Sequence, residues 1–363
     1  MPYIATKDIG VENHNINYEG GLSVNDDDGF KIAKKGSSLL CIEGGSAGKK
    51  IGYLNKDVAF VNKLCCFEPK NIDSKFLFYS LQSPDFLSDF YLNLTGMIGG
   101  VNVGDAKNLV VCFPNNADEQ KKIVSFLDKR ISQIDSLMSN QEKQIKKIEE
   151  YRQTIIDRAF DDCQKIKLKF VSSGIADGTH GTFRRIDDGE LLLSAKNLGE
   201  DQLIISSNES CISSDDYYSI IKCGFPKKND ILMCCVGDVG KTIMYNTDEI
   251  YAFQRSVMFI RPSSKILPEF LLYGLRTTDV IVQETRLANK TIQSGLYQGL
   301  VKELFIPYFE NVDDQRKILF AIKSKLNKLN RLLNIKQKKI IFLKHYKKSL
   351  IYEYVAGEKR VSL

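Results

Sequence analysis

The chain of 363 residues has only three histidines and no Cys-x-x-Cys pair. His14, His180 and His345 lie far apart and join no ligand cluster. The nine cysteines are odd in number, with two adjacent pairs, Cys65-Cys66 and Cys234-Cys235. These features disfavour a zinc site or a disulfide framework; buried thiols in a cytoplasmic protein are expected, with no bound metal. No apolar run reaches the roughly 18 residues needed to cross a bilayer, and the opening Met1-Pro2-Tyr3-Ile4-Ala5-Thr6-Lys7-Asp8 lacks the apolar stretch of a signal peptide. Between Arg316 and Tyr352 there is no Asp or Glu, although Lys and Arg recur throughout the segment. A one-signed run without interleaved acids repels itself, which favours a polyanion or an acidic partner over a simple solvated helix face.

What the chain does have, it has twice. Asp118-Glu119-Gln120-Lys121-Lys122-Ile123 returns 195 positions later as Asp313-Asp314-Gln315-Arg316-Lys317-Ile318. Each copy opens a Lys-rich stretch of helical period. Leu127, Ile131, Ile134, Met138, Ile145, Ile148, Ile155 and Ala159 follow alternating four- and three-residue steps, broken at Gln141 and Arg152. Ile322, Leu326, Leu329, Leu333, Ile340, Leu343, Leu350 and Tyr354 repeat those steps, broken at Lys336 and Lys347. Two a/d seams of equal length and phase predict helices that pack on each other. Connectivity makes them antiparallel, with a globular segment at each end. The globular segments also match: Tyr3–Gly10 with Leu192–Gly199, Leu39-Leu40-Cys41 with Leu232-Met233-Cys234, and Phe76–Leu81 with Phe270–Leu275. Short apolar runs bounded by Gly and Asn predict α+β globes with mostly antiparallel sheets. The second globe opens with a stretch, roughly 166–190, that has no counterpart before Pro2.

No motif carries chemistry well. Gly237-Asp238-Val239-Gly240-Lys241-Thr242 suggests a phosphate loop, but Cys235 stands where the first Gly is required, and Glu43 and Lys50 break the first copy. A tight turn between strands is the better reading, with Lys49, Lys50, Lys241 and Thr242 available to a DNA phosphate. Glu119 and Lys121 resemble part of a nuclease carboxylate set, but an acid in the first turn of a helix favours the helix dipole. No Asn-Pro-Pro-aromatic or Asp-Pro-Pro-Tyr tetrapeptide and no Gly-x-Gly-x-x-Gly loop occurs, so an adenine-methylating site and a cofactor loop are not expected. The polar loop Asp177-Gly178-Thr179-His180, followed by Arg184-Arg185, and the stretch Arg286, Asn289, Lys290, Thr291 and Gln293 hold the side chains best suited to base edges. The chain reads as a binder with no catalytic residues.

The pattern resembles the specificity subunit of type I restriction-modification systems. The residues that carry the resemblance are the repeated helix starts after Phe113-Pro114 and Ile306-Pro307, the helix ends at Tyr151 and Tyr346, the Asp177–His180 loop and the two Gly-x-x-Gly-Lys turns. It implies an α+β chain: two target-recognition domains joined by two long antiparallel coiled-coil helices in a pseudo-twofold repeat. The first domain would span 1–116 and be incomplete at its start. The spacer helices would span 117–160 and 312–358, and the second domain 161–311. Such a subunit reads a bipartite site in double-stranded DNA and docks methyltransferase and restriction subunits. Those partners, not this chain, would use S-adenosylmethionine, ATP and Mg. A non-catalytic coiled-coil scaffold, or a silent specificity cassette that binds proteins rather than DNA, is the competing expectation.

Overall fold

The computed structural model describes residues 1–24, 29–96, 99–288 and 295–361. Its contacts divide the chain into two compact units, Met1–Ile145 with Ile335–Leu363, and Lys146–Asn334.

In the first unit, β1 (Tyr3–Ile4), β2 (Lys31–Ala33), β3 (Ser38–Cys41), β4 (Ile51–Tyr53), β5 (Val58–Phe60) and β6 (Leu64–Phe67) form two small sheets, β1-β5-β2 and β4-β3-β6. Among the described residues of this unit, only β1 and β5 pair in parallel. β3 is buried along its whole length, which is why Ser38-Leu39-Leu40-Cys41 reads as a continuous rather than alternating run. Three short helices follow, α1 (Ser74–Ser80), α2 (Pro84–Leu92) and α3 (Val103–Ala106), leading to α4 (Ala117–Ala159). The Asp73 carboxylate caps α1 by accepting from the Lys75 and Phe76 amides, and Ser83 caps α2, with Pro84 in its first turn.

The second unit repeats this plan and extends it. Its strands are β7 (Gln164–Lys167), β8 (Ser172–Asp177), β9 (Glu190–Leu193), β10 (Cys211–Ile212), β11 (Ile231–Cys234), β12 (Thr242–Met244), β13 (Ala252–Phe253), β14 (Val257–Pro262) and β15 (Phe305–Tyr308). Its helices are α5 (Ser214–Cys223), α6 (Pro268–Leu275), α7 (Thr278–Ala288), α8 (Gln298–Val301) and the start of α9 (Val312–Val355). The hairpin β3-β4 with β6 corresponds to β11-β12 with β14, and parallel β1-β5 corresponds to β9-β13. Among the described residues the first unit has no equivalent of β8, which covers the edge of β14, of β7 and its partner β15, or of α5. Cys41, Cys65, Cys211, Cys234 and Cys235 are buried free thiols.

The long helices run where the periodicity puts them. Asn116 and Asn311 accept the first helical amides at 2.9 and 2.8 Å. The Gln of each repeated motif is fully buried, at 2% exposure for Gln120 and 0% for Gln315. Gln120 accepts from the Asp73 amide at 2.6 Å and donates to the Pro114 carbonyl at 2.7 Å. Gln315 accepts from the Leu267 amide at 2.8 Å and donates to the Lys265 and Phe309 carbonyls. The motif therefore stitches each helix start to the short helix of its own globe.

In the first unit the helices are antiparallel: Phe126 lies against Tyr354, Asp135 against Lys347 and Gln144 against Lys336. Leu127, Ile131, Ile134, Leu343 and Leu350 share its core, with Met138 at the margin, and Ile145 and Ile340 are half-buried. In the second unit Ile155, Ile322 and Leu326 share the core, Leu329 packs against it, Leu333 is buried and Ile148 half-buried. Every seam position is withdrawn from solvent. The polar interruptions are accommodated differently. Buried Lys347 meets Asp135 at 2.8 Å, and Lys336 meets Gln144 at 2.5 Å. Arg152 has a buried Nε with no hydrogen-bond partner among the described residues.

Candidate nucleic-acid interface

In the second unit, strand pairing draws several loops to one end of the β12-β11-β14-β8 sheet. Beyond β8 the chain stays against the 253–257 segment: the Gly178 amide donates to Val257, the Thr179 amide to Phe253, and the Arg255 amide back to Thr179. Gly178 has to be glycine, because a Cβ there would lie 2.3 Å from the Gln254 carbonyl oxygen. The Cys235 amide donates to Ser256 and the Leu296 amide to Cys235. These bonds link residues 179, 255–256, 235 and 296 into a single loop cluster.

The candidate polar side chains of this unit are unequal. His180 is exposed, with Nε2 3.7 Å from the Asp177 carboxylate. Burial raises the Asp177 pKa, and His180 opposes the shift. Arg184 is exposed and makes no hydrogen bond or ion pair with a described residue, whereas Arg185 donates to the Leu192 and Ser210 carbonyls at 3.4 Å. Arg286 is exposed at the end of α7, outside the bonds that define the cluster. Asn289, Lys290, Thr291 and Gln293 lie outside the described residues. Arg255, fixed beside Thr179 and exposed, belongs with this group; in the sequence it is hidden inside a segment that reads only as a repeated strand.

The Gly-x-x-Gly-Lys turns are hairpin turns. In the first unit the Gly48 amide donates to Cys41 and the Cys41 amide to Lys50; in the second, Gly240 donates to Cys234 and Cys234 to Lys241. A phosphate loop requires a strand passing into a helix, and each of these turns joins two strands. Gly44, Gly48, Gly237 and Gly240 all have φ between +73° and +86°. Lys49 folds back onto the Gly45 carbonyl and Lys50 onto the Thr6 carbonyl at 2.6 Å. Thr242 lies inside β12 at 2% exposure, its hydroxyl and carbonyl both accepting from Arg276, so it is withdrawn from any phosphate. Lys241 borders a cavity of about 370 Å³ lined also by Arg152 and Glu284. Glu284 is 2% exposed, has one carboxylate oxygen without a partner among the described residues, and is pushed up to about pKa 8 by burial.

The first unit builds the same cluster with other side chains. The Ile42 amide donates to Lys63 and the Val101 amide to Ile42, matching the Cys235–Ser256 and Leu296–Cys235 bonds. Lys63 belongs to it with exposed Asn62 beside it, Lys49 lies on the neighbouring hairpin turn, and nothing among the described residues matches the 177–185 loop.

Residues 1–150 match the family model described as the type I restriction modification DNA specificity domain. The chain is similar in fold to a chain in a solved structure concerned with complex assembly and conformational transition of the type I R-M system. Identity is 14% and the TM-score 0.73, covering 98% of this chain and 91% of that one. It also matches the HsdS subunit from Thermoanaerobacter tengcongensis at 15% identity and TM-score 0.47, covering 98% and 90%. The type I S subunit from M. genitalium matches at 16% and 0.42, covering 100% and 89%. No curated protein matches the chain significantly. Among the described residues no helix is long and apolar enough to cross a membrane.

Proposed function

We propose that this chain, whose first 150 residues match the type I restriction modification DNA specificity domain, acts as a type I specificity subunit and reads a bipartite DNA target through one loop cluster per unit. The observation that carries the reading is the duplicated cluster itself, with the same backbone bonds at 42/63/101 and 235/256/296 under different polar side chains. One frame bearing two sets of donors suits two different half-sites. Arg184, Arg255, Arg286 and His180 serve the second half-site; Lys49, Asn62 and Lys63 serve the first. The paired helices set the gap between halves.

The chain supplies recognition rather than catalysis. Adenine methylation with S-adenosylmethionine, and cleavage driven by ATP with Mg, belong to methyltransferase and restriction subunits in the cytoplasm. The part of α9 in the first unit offers those partners a surface: Ile335, Ile341, Phe342 and Tyr346 are exposed, and the Phe342 and Tyr346 rings are stacked at 6.3 Å. The sequence from Arg316 to Tyr352 has no acid of its own, and although Glu12 and Asp135 pair with Lys344 and Lys347, the stretch stays rich in cations, so an amphipathic segment with acidic flanks fits it. DNA binding by the chain with its methyltransferase, titrated from low to high salt, tests the recognition role. Affinity for a target duplex should fall steeply with salt and exceed that for a scrambled duplex by ~10³-fold or more. Equal affinity for both duplexes would favour the scaffold reading.

A further inference from the structure

We propose that the two junctions between globe and long helix are keyed by ion pairs of opposite polarity, so that each helix accepts its own globe and rejects the other. The anchoring is the same in both places. Buried Gln120 holds the amide of Asp73 just before α1, and buried Gln315 holds the amide of Leu267 just before α6. Two residues beyond each of those amides, and eight beyond each Gln, the chain places an ion pair. At the first junction the cation is on the globe: Lys75 meets Asp128 of α4 at 2.5 Å. At the second the cation is on the long helix: Glu269 meets Lys323 of α9 at 2.5 Å.

The glutamine anchors fix the register, so the charges cannot slide past a mismatch. Exchange of the globes would set Glu269 against Asp128 and Lys75 against Lys323, like charges at contact distance. Side-chain exposure is nearly the same at both sites, 41% and 37% for Lys75 and Asp128, 43% and 37% for Lys323 and Glu269. A half-exposed pair is individually weak. Selectivity arises because mismatch removes an attraction and adds a repulsion at one point. Tyr79 strengthens the first key by donating to the second oxygen of Asp128 at 2.7 Å.

A charge-reversal cycle in the full-length chain, read by amide hydrogen exchange of α1 and α6, tests the key. K75E installs the second globe's charge on α4's partner. K75E and D128K should each accelerate exchange in α1 roughly three- to tenfold, and the double variant should be slower than either single variant, short of the parent by the Tyr79 hydrogen bond that residue 128 no longer accepts. E269K, K323E and their combination should follow the same order in α6. Additive loosening in the double variants, or single variants without effect, would overturn the proposal. Should K75E unfold the first unit, K75Q separates the cases. It removes the attraction without repulsion and should loosen α1 less than K75E; an equal effect would also overturn the key.

Discussion

The two units share a frame and differ in what is laid on it. In the first, β6 is the edge of a three-stranded sheet; in the second, β8 covers the matching edge of β14 and continues into the Thr179-His180 loop. The backbone bonds that gather the loops are nevertheless the same in both. The frame is therefore separable from the reading groups, and it does not depend on the covering strand. The seams carry a second difference. Both contain a buried or half-buried cation where the apolar pattern breaks, but Lys347 is neutralised by Asp135, whereas Arg152 leaves its Nε unpartnered among the described residues.

The largest test of this contrast is at the seams. Asp135→Ala leaves the buried Lys347 ammonium without its carboxylate partner and should destabilise the first unit by about 2–3 kcal/mol in urea unfolding, the partial exposure of Asp135 keeping the cost at that level. Arg152→Met removes a donor that already lacks a partner and should change stability by less than about 1 kcal/mol. Equal losses would erase the distinction.

A smaller effect is expected in recognition. Arg184, Arg255 and Arg286 changed together to Ala should weaken DNA binding by roughly 10–100-fold and lower the salt slope, as measured by fluorescence anisotropy. Loss of discrimination at one half-site only would place these side chains on base edges. A uniform loss across sequences would place them on phosphates.

The two units also differ in the sign of their pH response. Burial, aided by Lys347, lowers His14 to about pKa 4, so the folded first unit resists a proton that the unfolded chain accepts near 6.5. Its stability should fall as pH drops from about 6.5 toward 4. Burial raises Glu284 to about 8, so the folded second unit keeps a proton that the unfolded chain has released. Its stability should fall as pH rises from about 4.5 toward 8. Hydrogen exchange resolved by unit should show slopes of opposite sign, with Glu284→Gln flattening the second and His14→Phe the first.

Much of the frame was legible because it repeats and because burial is periodic. Leu127, Ile131, Ile322 and Leu326 announce their seam by spacing alone, and the matched helix starts announce the duplication. Single buried polar groups leave no such trace. Nothing around Gln120 shows that its side chain bonds to an amide 47 positions earlier, and Glu284 reads as an ordinary helical acid. Arg255 was masked by its neighbours' strand pattern. Thr242 looks like a turn residue after Gly240-Lys241, but the strand begins at that residue, and Arg276 claims it from within.

The central claim is that two loop clusters read two half-sites. Its most direct test is methylome sequencing of cells that express this chain with its methyltransferase, beside a variant in which Arg184, Arg255 and Arg286 are Ala. The expected outcome is a bipartite methylated motif in the parent, and in the variant a motif degraded in one half while the other half and the gap persist. A contiguous motif, or a bipartite one that loses both halves equally, would contradict the assignment of one reader to each unit.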